Sequence, residues 1–119
     1  MKQIKVKILG VELESPLLNP EIAKHYEEGL LTVVKKSHQA QTCKSNSESI
    51  KMMCSSVIEF IDDVFGAGSA KRVLGDDTDL LTCLDAFEEL SEIYEKQVNL
   101  LIEEKYEQVK KKAEIKDGN

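Results

Sequence analysis

The chain has 119 residues, a net charge of −6 and a pI of about 5.0, so a basic surface for nucleic acid is not expected. Hydrophobic residues make up 41% and aromatic residues 5%, with no Trp, which fits one helical domain with its own core and excludes a disordered chain or a β-sandwich. No apolar run approaches membrane-spanning length, and Met1-Lys2-Gln3 leads into an alternating pattern instead of a signal segment, so the expected place is the cytoplasm, with no membrane partner.

Ile4, Val6 and Ile8 alternate with Lys5 and Lys7, and Val11 and Leu13 alternate with Glu12 and Glu14 around Leu9-Gly10. This predicts a two-stranded hairpin over about 3–14 with Leu9-Gly10 as its turn. The register then follows: Ile8 faces Val11, Lys7 faces Glu12, Val6 faces Leu13 and Lys5 faces Glu14. One face is apolar and the other carries two opposite-charge pairs. Two strands are marginal alone, so the apolar face must pack on helices or join another sheet.

Asn19-Pro20 reads as an N-cap with Pro at the first helical position, opening a helix over about 20–42 that carries Ile22, Tyr26, Leu30, Val33 and Val34. Gly29 should weaken it. Ser45 followed by Glu48 resembles a capping box and starts a second helix over about 47–65, with Ile50, Met53, Val57, Ile58, Ile61 and Phe65. Asp62 and Asp63 sit where the helix dipole disfavours them. Gly66 ends this helix, a short one follows over about 69–74, and Gly75 closes it. Thr78 or Asp79 caps the last helix, over about 79–110, with a stripe of Leu80, Leu84, Phe87, Leu90, Tyr94, Val98 and Leu101, and with Tyr106 and Val109 beyond it. The fold class is therefore mainly α (α+β). Residues 1–112 form a single helical domain with the hairpin, and 113–119 a flexible tail. Leu100-Leu101-Ile102 spreads apolar groups to both sides of the stripe, so either the hairpin and the first helix cover both flanks or a second molecule covers one.

The chain carries no pattern that chemistry requires. Gly66 and Gly68 follow a helix and lack the third glycine of a dinucleotide loop. Asp76, Asp77 and Asp79 begin like a calcium loop, but Leu80-Leu81 stops the ligand run, and capping explains Thr78 and Asp79. Cys43, Cys54 and Cys83 form no Cys-x-x-Cys pair and read as reduced thiols, Cys54 and Cys83 as small core residues. His25 and His38 are surface histidines, and Glu88-Glu89 and Glu103-Glu104 are a solvated helix face. No catalytic, cofactor-binding or metal residues are expected, and the protein is expected not to be an enzyme.

Ile8 to Glu14, Glu48-Ser49-Ile50, Phe60 to Gly68, Val73-Leu74-Gly75 and Cys83 to Leu90 resemble a family of small phage and prophage proteins of Gram-positive bacteria, similar to the tail assembly chaperones of long-tailed phages. The resemblance covers most of residues 4–97 and includes no catalytic signature. It implies a helical protein that self-associates and coats the tape measure protein until tail tube protein replaces it. A structural virion component and a host-directed regulator are the alternatives. The candidate partner or oligomer surface is Lys5, Lys7, Glu12 and Glu14 on the hairpin, and Leu100, Leu101, Ile102 and Tyr106 on the last helix.

Overall fold

The computed structural model describes residues 1–117. A hairpin of β1 (Ile4–Ile8) and β2 (Val11–Ser15) precedes α1 (Pro20–Ala40), α2 (Asn46–Phe65) and the short α3 (Ser69–Leu74). Helix α4 (Leu80–Ile93) then runs through a π-helical turn (Tyr94–Val98) into α5 (Asn99–Asp117). The architecture is mainly α with one antiparallel two-stranded sheet.

The hairpin has the register that the alternation predicts, extended by one pair: Ile4 faces Ser15, Lys5 Glu14, Val6 Leu13, Lys7 Glu12 and Ile8 Val11. Leu9 and Gly10 take φ of 49° and 81°, both in the left-handed region that such a tight turn requires. For Leu9 this is strained backbone, held in place by its surroundings. Val6, Ile8 and Leu13 are buried. The sheet lies on helices, with β1 against α4 and β2 against α2 and α3.

The predicted caps form. Asn19 Oδ1 accepts from the N–H groups of Glu21 (3.0 Å) and Ile22 (3.3 Å), and Ser45 Oγ from that of Glu48 (3.2 Å). Of the two candidates for the last helix, Asp79 is the cap: its carboxylate accepts from Thr82 N–H (2.9 Å) and Thr82 Oγ1–H (2.8 Å). At the N-cap position of α3, Gly68 has no side chain to cap the helix. Asp62 supplies one from α2, its Oδ1 accepting from Ala70 N–H at 2.8 Å. A carboxylate that opposes its own helix dipole thus serves the N-terminus of the next helix.

Helix α2 is the centre of the molecule. It packs against α1, α3, α4 and β2, and it buries Met53, Val57, Phe60, Ile61 and Val64. Phe60 lies against Gly29 of α1, close enough that a Cβ on Gly29 would stand 2.3 Å from Phe60 Cδ1. The glycine that weakens α1 locally is what lets the two helices meet. Phe60 also joins Tyr26 (ring centroids 5.4 Å) and Phe87 (5.8 Å), and Tyr26 stacks on Tyr94 at 3.7 Å with planes 7° apart. This aromatic row ties α1, α2, α4 and the π turn together.

Several core assignments shift. On α4 the buried residues are Cys83, Ala86 and Leu90, while the predicted Leu80, Leu84 and Phe87 are half-buried. Two small side chains let α4 approach α2 closely, and the larger ones fill the flanks. Val34 (46%) and Ile50 (39%) are exposed; Val34 lies beside the buried Val33 stripe of α1, and Ile50 lies in the first turns of α2, before its buried stretch begins at Met53. The last helix, predicted to end near Lys110, runs to Asp117. Of the expected tail, residues 118 and 119 lie outside the described residues.

Candidate functional site

The hairpin presents Lys5, Lys7, Glu12 and Glu14 to solvent, as the alternation requires. Their pairing is diagonal: Lys5 Nζ lies 3.9 Å from Glu12 Oε1, although Glu12 faces Lys7 in the ladder. Both partners are exposed, so this ion pair adds little to stability.

A two-stranded sheet has two open edges. The outer edge of β2 is partly covered by Arg72, whose Nη2–H donates to Glu12 O at 3.1 Å. Beside β1 runs a groove of about 470 Å³ walled by Lys5, Val6 and Lys7 on one side and by Glu89, Glu92, Ile93 and Lys96 on the other. In this register the backbone N–H and C=O groups of Lys5 and Lys7 point away from β2. Among the described residues they have no hydrogen-bond partner, so the β1 edge is open along this groove.

Glu89 is more than a solvated helix residue. Its Oε1 accepts from Leu9 N–H at 3.1 Å and pins the strained turn to α4. Glu88, its neighbour, is exposed as expected. Neither Glu89 nor Arg72 is marked in the sequence, since each serves a backbone group far away along the chain. The one available signal was the positive φ that the Leu9-Gly10 turn demands, which calls for an external partner at a non-glycine position.

The Leu100-Leu101-Ile102 cluster divides three ways. Ile102 packs against the core. Leu101 and Leu100 line an apolar groove of about 350 Å³ with Ile4 and Val98. Leu100 is 51% exposed. The hairpin therefore covers part of the Leu100 flank through Ile4, and the Ile102 flank packs against the core. Lys96 and Gln97 border both grooves, so the hairpin residues and Leu100-Leu101 belong to one continuous surface. Tyr106 stands apart from it, 72% exposed on the far part of α5.

The π turn explains how the last helix keeps contact with the body so far along. Leu90, Tyr94 and Val98 recur every four residues, which drifts around a regular α-helix. The wider turn at Tyr94–Val98, closed by Asn99 N–H to Tyr94 O, offsets that drift. Burial and the neighbouring Tyr94 and Glu95 push the Tyr26 phenol up to about 12.

The cysteines are free. Cys83 is fully buried, and Cys54 is packed beside it with its thiol pushed up to about 11 by burial and by a hydrogen bond with Cys83. The raised value of Cys54 opposes nucleophilic use of that thiol. Among the described residues, no three His, Cys, Asp or Glu side chains converge as a metal site. No helix of the described residues is long and apolar enough to cross a membrane.

A family match spans residues 9–117, from the hairpin turn through α5. The chain belongs to the DUF6673 family, a family of unknown function. The family region thus includes the turn pinned by Glu89, the Asp62 cap, the π turn and the exposed α5. No curated protein and no solved structure shows a significant match to the chain.

Proposed function

We propose that the protein is a non-enzymatic phage tail assembly chaperone. It works in the bacterial cytoplasm, associates with itself, and coats the helical tape measure protein until tail tube protein displaces it. The observation that carries this reading is the surface that runs from the open β1 edge and its groove to the apolar Leu100-Leu101 groove. Such a surface suits reversible contact with polypeptide. Its walls mix lysine, glutamate and leucine, which favours a long amphipathic partner over a small ligand. The likeness of Phe60 to Gly68 and Cys83 to Leu90 to tail chaperones supports the same reading.

Co-expression with a phage tape measure protein tests the proposal. The expected result is a soluble complex in which Leu100→Glu/Leu101→Glu lowers recovery of the tape measure protein. A tape measure protein equally soluble with and without this chain overturns the reading. Mass spectrometry of purified particles distinguishes a chaperone, which is absent from them, from a structural virion component, which is present.

A further inference from the structure

The β1 edge leaves main-chain hydrogen-bonding groups unused beside a groove. In the antiparallel ladder Ile4, Val6 and Ile8 turn their N–H and C=O groups to β2, and those of Lys5 and Lys7 point the other way. The groove they face has a volume of about 470 Å³, and its far wall is Glu89, Glu92 and Ile93 of α4 with Lys96 and Gln97 of the π turn. Free N–H and C=O groups at strand spacing are a template for one more strand, which would bond to the main chain of Lys5 and Lys7.

Register fixes which charges an added strand meets. The side chains of Lys5 and Lys7 lie on the solvent face, and residues directly opposite them in an added strand lie on that same face. Lys5 is 3.9 Å from Glu12, and Lys7 makes no ion pair among the described residues. The acidic groups of the far wall are engaged within the chain, Glu92 with Lys96 Nζ at 3.2 Å and Glu89 with Leu9 N–H at 3.1 Å. The residue between the two that face the lysines turns inwards, where Val6 and Ile93 offer apolar surface. The complementary pattern is therefore acidic, apolar, acidic. Glu12-Leu13-Glu14 of β2 has this pattern, and it lies opposite Lys7, Val6 and Lys5 on the other side of the same strand.

A second copy of the chain does not supply that strand. Antiparallel pairing with another β1, centred on Val6, sets Lys5 opposite Lys7 twice. Slipping it by two residues sets Lys5 opposite Lys5 or Lys7 opposite Lys7, so the edge repels its own copy in each case. The glutamates of another β2 would suit the lysines, but that edge is engaged: Arg72 Nη2–H donates to Glu12 O at 3.1 Å, and α3 packs against β2. We propose that the β1 edge binds an extended segment of another polypeptide as an antiparallel strand, with acidic residues opposite Lys5 and Lys7 and an apolar residue opposite Val6. Main-chain bonds hold the segment, and the two lysines select it.

This rests on the reading of the surface as polypeptide-binding and names the segment taken at its β1 end. Its test uses the purified full chain and synthetic peptides, so it succeeds or fails separately from any tape measure experiment. The probe is a capped peptide copying Val11 to Ser15, and the readout is amide hydrogen exchange followed residue by residue by NMR. The expected result is that the Lys5 and Lys7 amides slow roughly ten-fold when about nine-tenths of the chain is occupied, while Val6 and Ile8, already bonded to β2, do not change. A peptide with lysine in place of both glutamates binds roughly ten-fold more weakly, since two attractive cross-strand pairs become repulsive. A peptide N-methylated at both glutamates, whose N–H groups would face β1, gives no protection. Equal binding of the acidic and lysine peptides overturns the proposal, and so does binding that leaves Lys5 and Lys7 unprotected or that survives N-methylation. No binding at millimolar peptide overturns it as well. Protection of Lys5 and Lys7 that rises with chain concentration in the absence of peptide makes a second copy the occupant and overturns the assignment.

Discussion

Gly29 shows how a residue's local and tertiary roles can have opposite signs. In an isolated helix Gly29→Ala would gain about 1 kcal/mol from propensity. In the folded chain the new Cβ would stand 2.3 Å from Phe60 Cδ1, at the tightest crossing of α1 and α2. Phe60 also packs against Tyr26 and Phe87, so moving its ring disturbs both contacts. Overpacking of this kind costs about 1–3 kcal/mol, so Gly29→Ala lowers the urea midpoint of unfolding. Glu89 acts on the same scale at the other side of the molecule. Its carboxylate satisfies Leu9 N–H while Leu9 holds a φ of 49°. Glu89→Ala removes the acceptor and costs about 1–2 kcal/mol. Glu89→Gln keeps an acceptor and costs less, so the order of the two midpoints checks the assignment.

At the scale of elements, the helix ends and the π turn set how stability responds to pH. Asp79 caps α4, and its hydrogen bonds with Thr82 hold its carboxyl below the ordinary value of 3.8. A depressed folded value means that its contribution is present above 3.8 and is lost as pH falls through the lowered value. Acid unfolding of Asp79→Asn, which keeps the cap without the charge, therefore depends less on pH in that window. Tyr26 titrates in the opposite sense. Its folded value of about 12 lies above the ordinary 10.0, so its contribution is complete below 10.0 and fades as pH rises towards 12. Tyrosinate absorbance during an alkaline titration should show two phenols ionising late, those of Tyr26 and Tyr94, both raised by burial, and Tyr26→Phe should remove one of them. Asp62 belongs to this scale too, since it connects α2 to α3 by capping a helix whose N-cap position, Gly68, has no side chain.

The whole molecule is a packed body with a helical arm. Its radius of gyration is 17.6 Å, against about 13.5 Å for a compact domain of this length. The arm adds surface without adding core. At concentrations where the chain is monomeric, Tyr106→Ser/Val109→Ser should therefore shift the unfolding free energy by less than about 0.5 kcal/mol, measured by urea denaturation.

The hairpin register, the boundaries of α1, α2 and α3, and the Asn19, Ser45 and Asp79 caps were legible because each rests on residues close together in the chain. Alternation, helical spacing and capping are local physics, and local physics survives folding here. The candidate surface was legible as two separate patches, Lys5 to Glu14 and Leu100 to Ile102. That Lys96 and Gln97 join the hairpin residues to Leu100-Leu101, while Ile102 turns towards the core and Tyr106 stands alone, required the tertiary arrangement. The same holds for the partners of Gly29, Asp62, Glu89 and Arg72. Each acts on a group in another element, across 8 to 80 residues of chain in the three hydrogen-bonded cases. By itself, the sequence determined which segments become helix and strand and which faces are apolar. Only the tertiary structure decided which of those faces find a partner within the chain, because burial depends on what the rest of the fold brings against them.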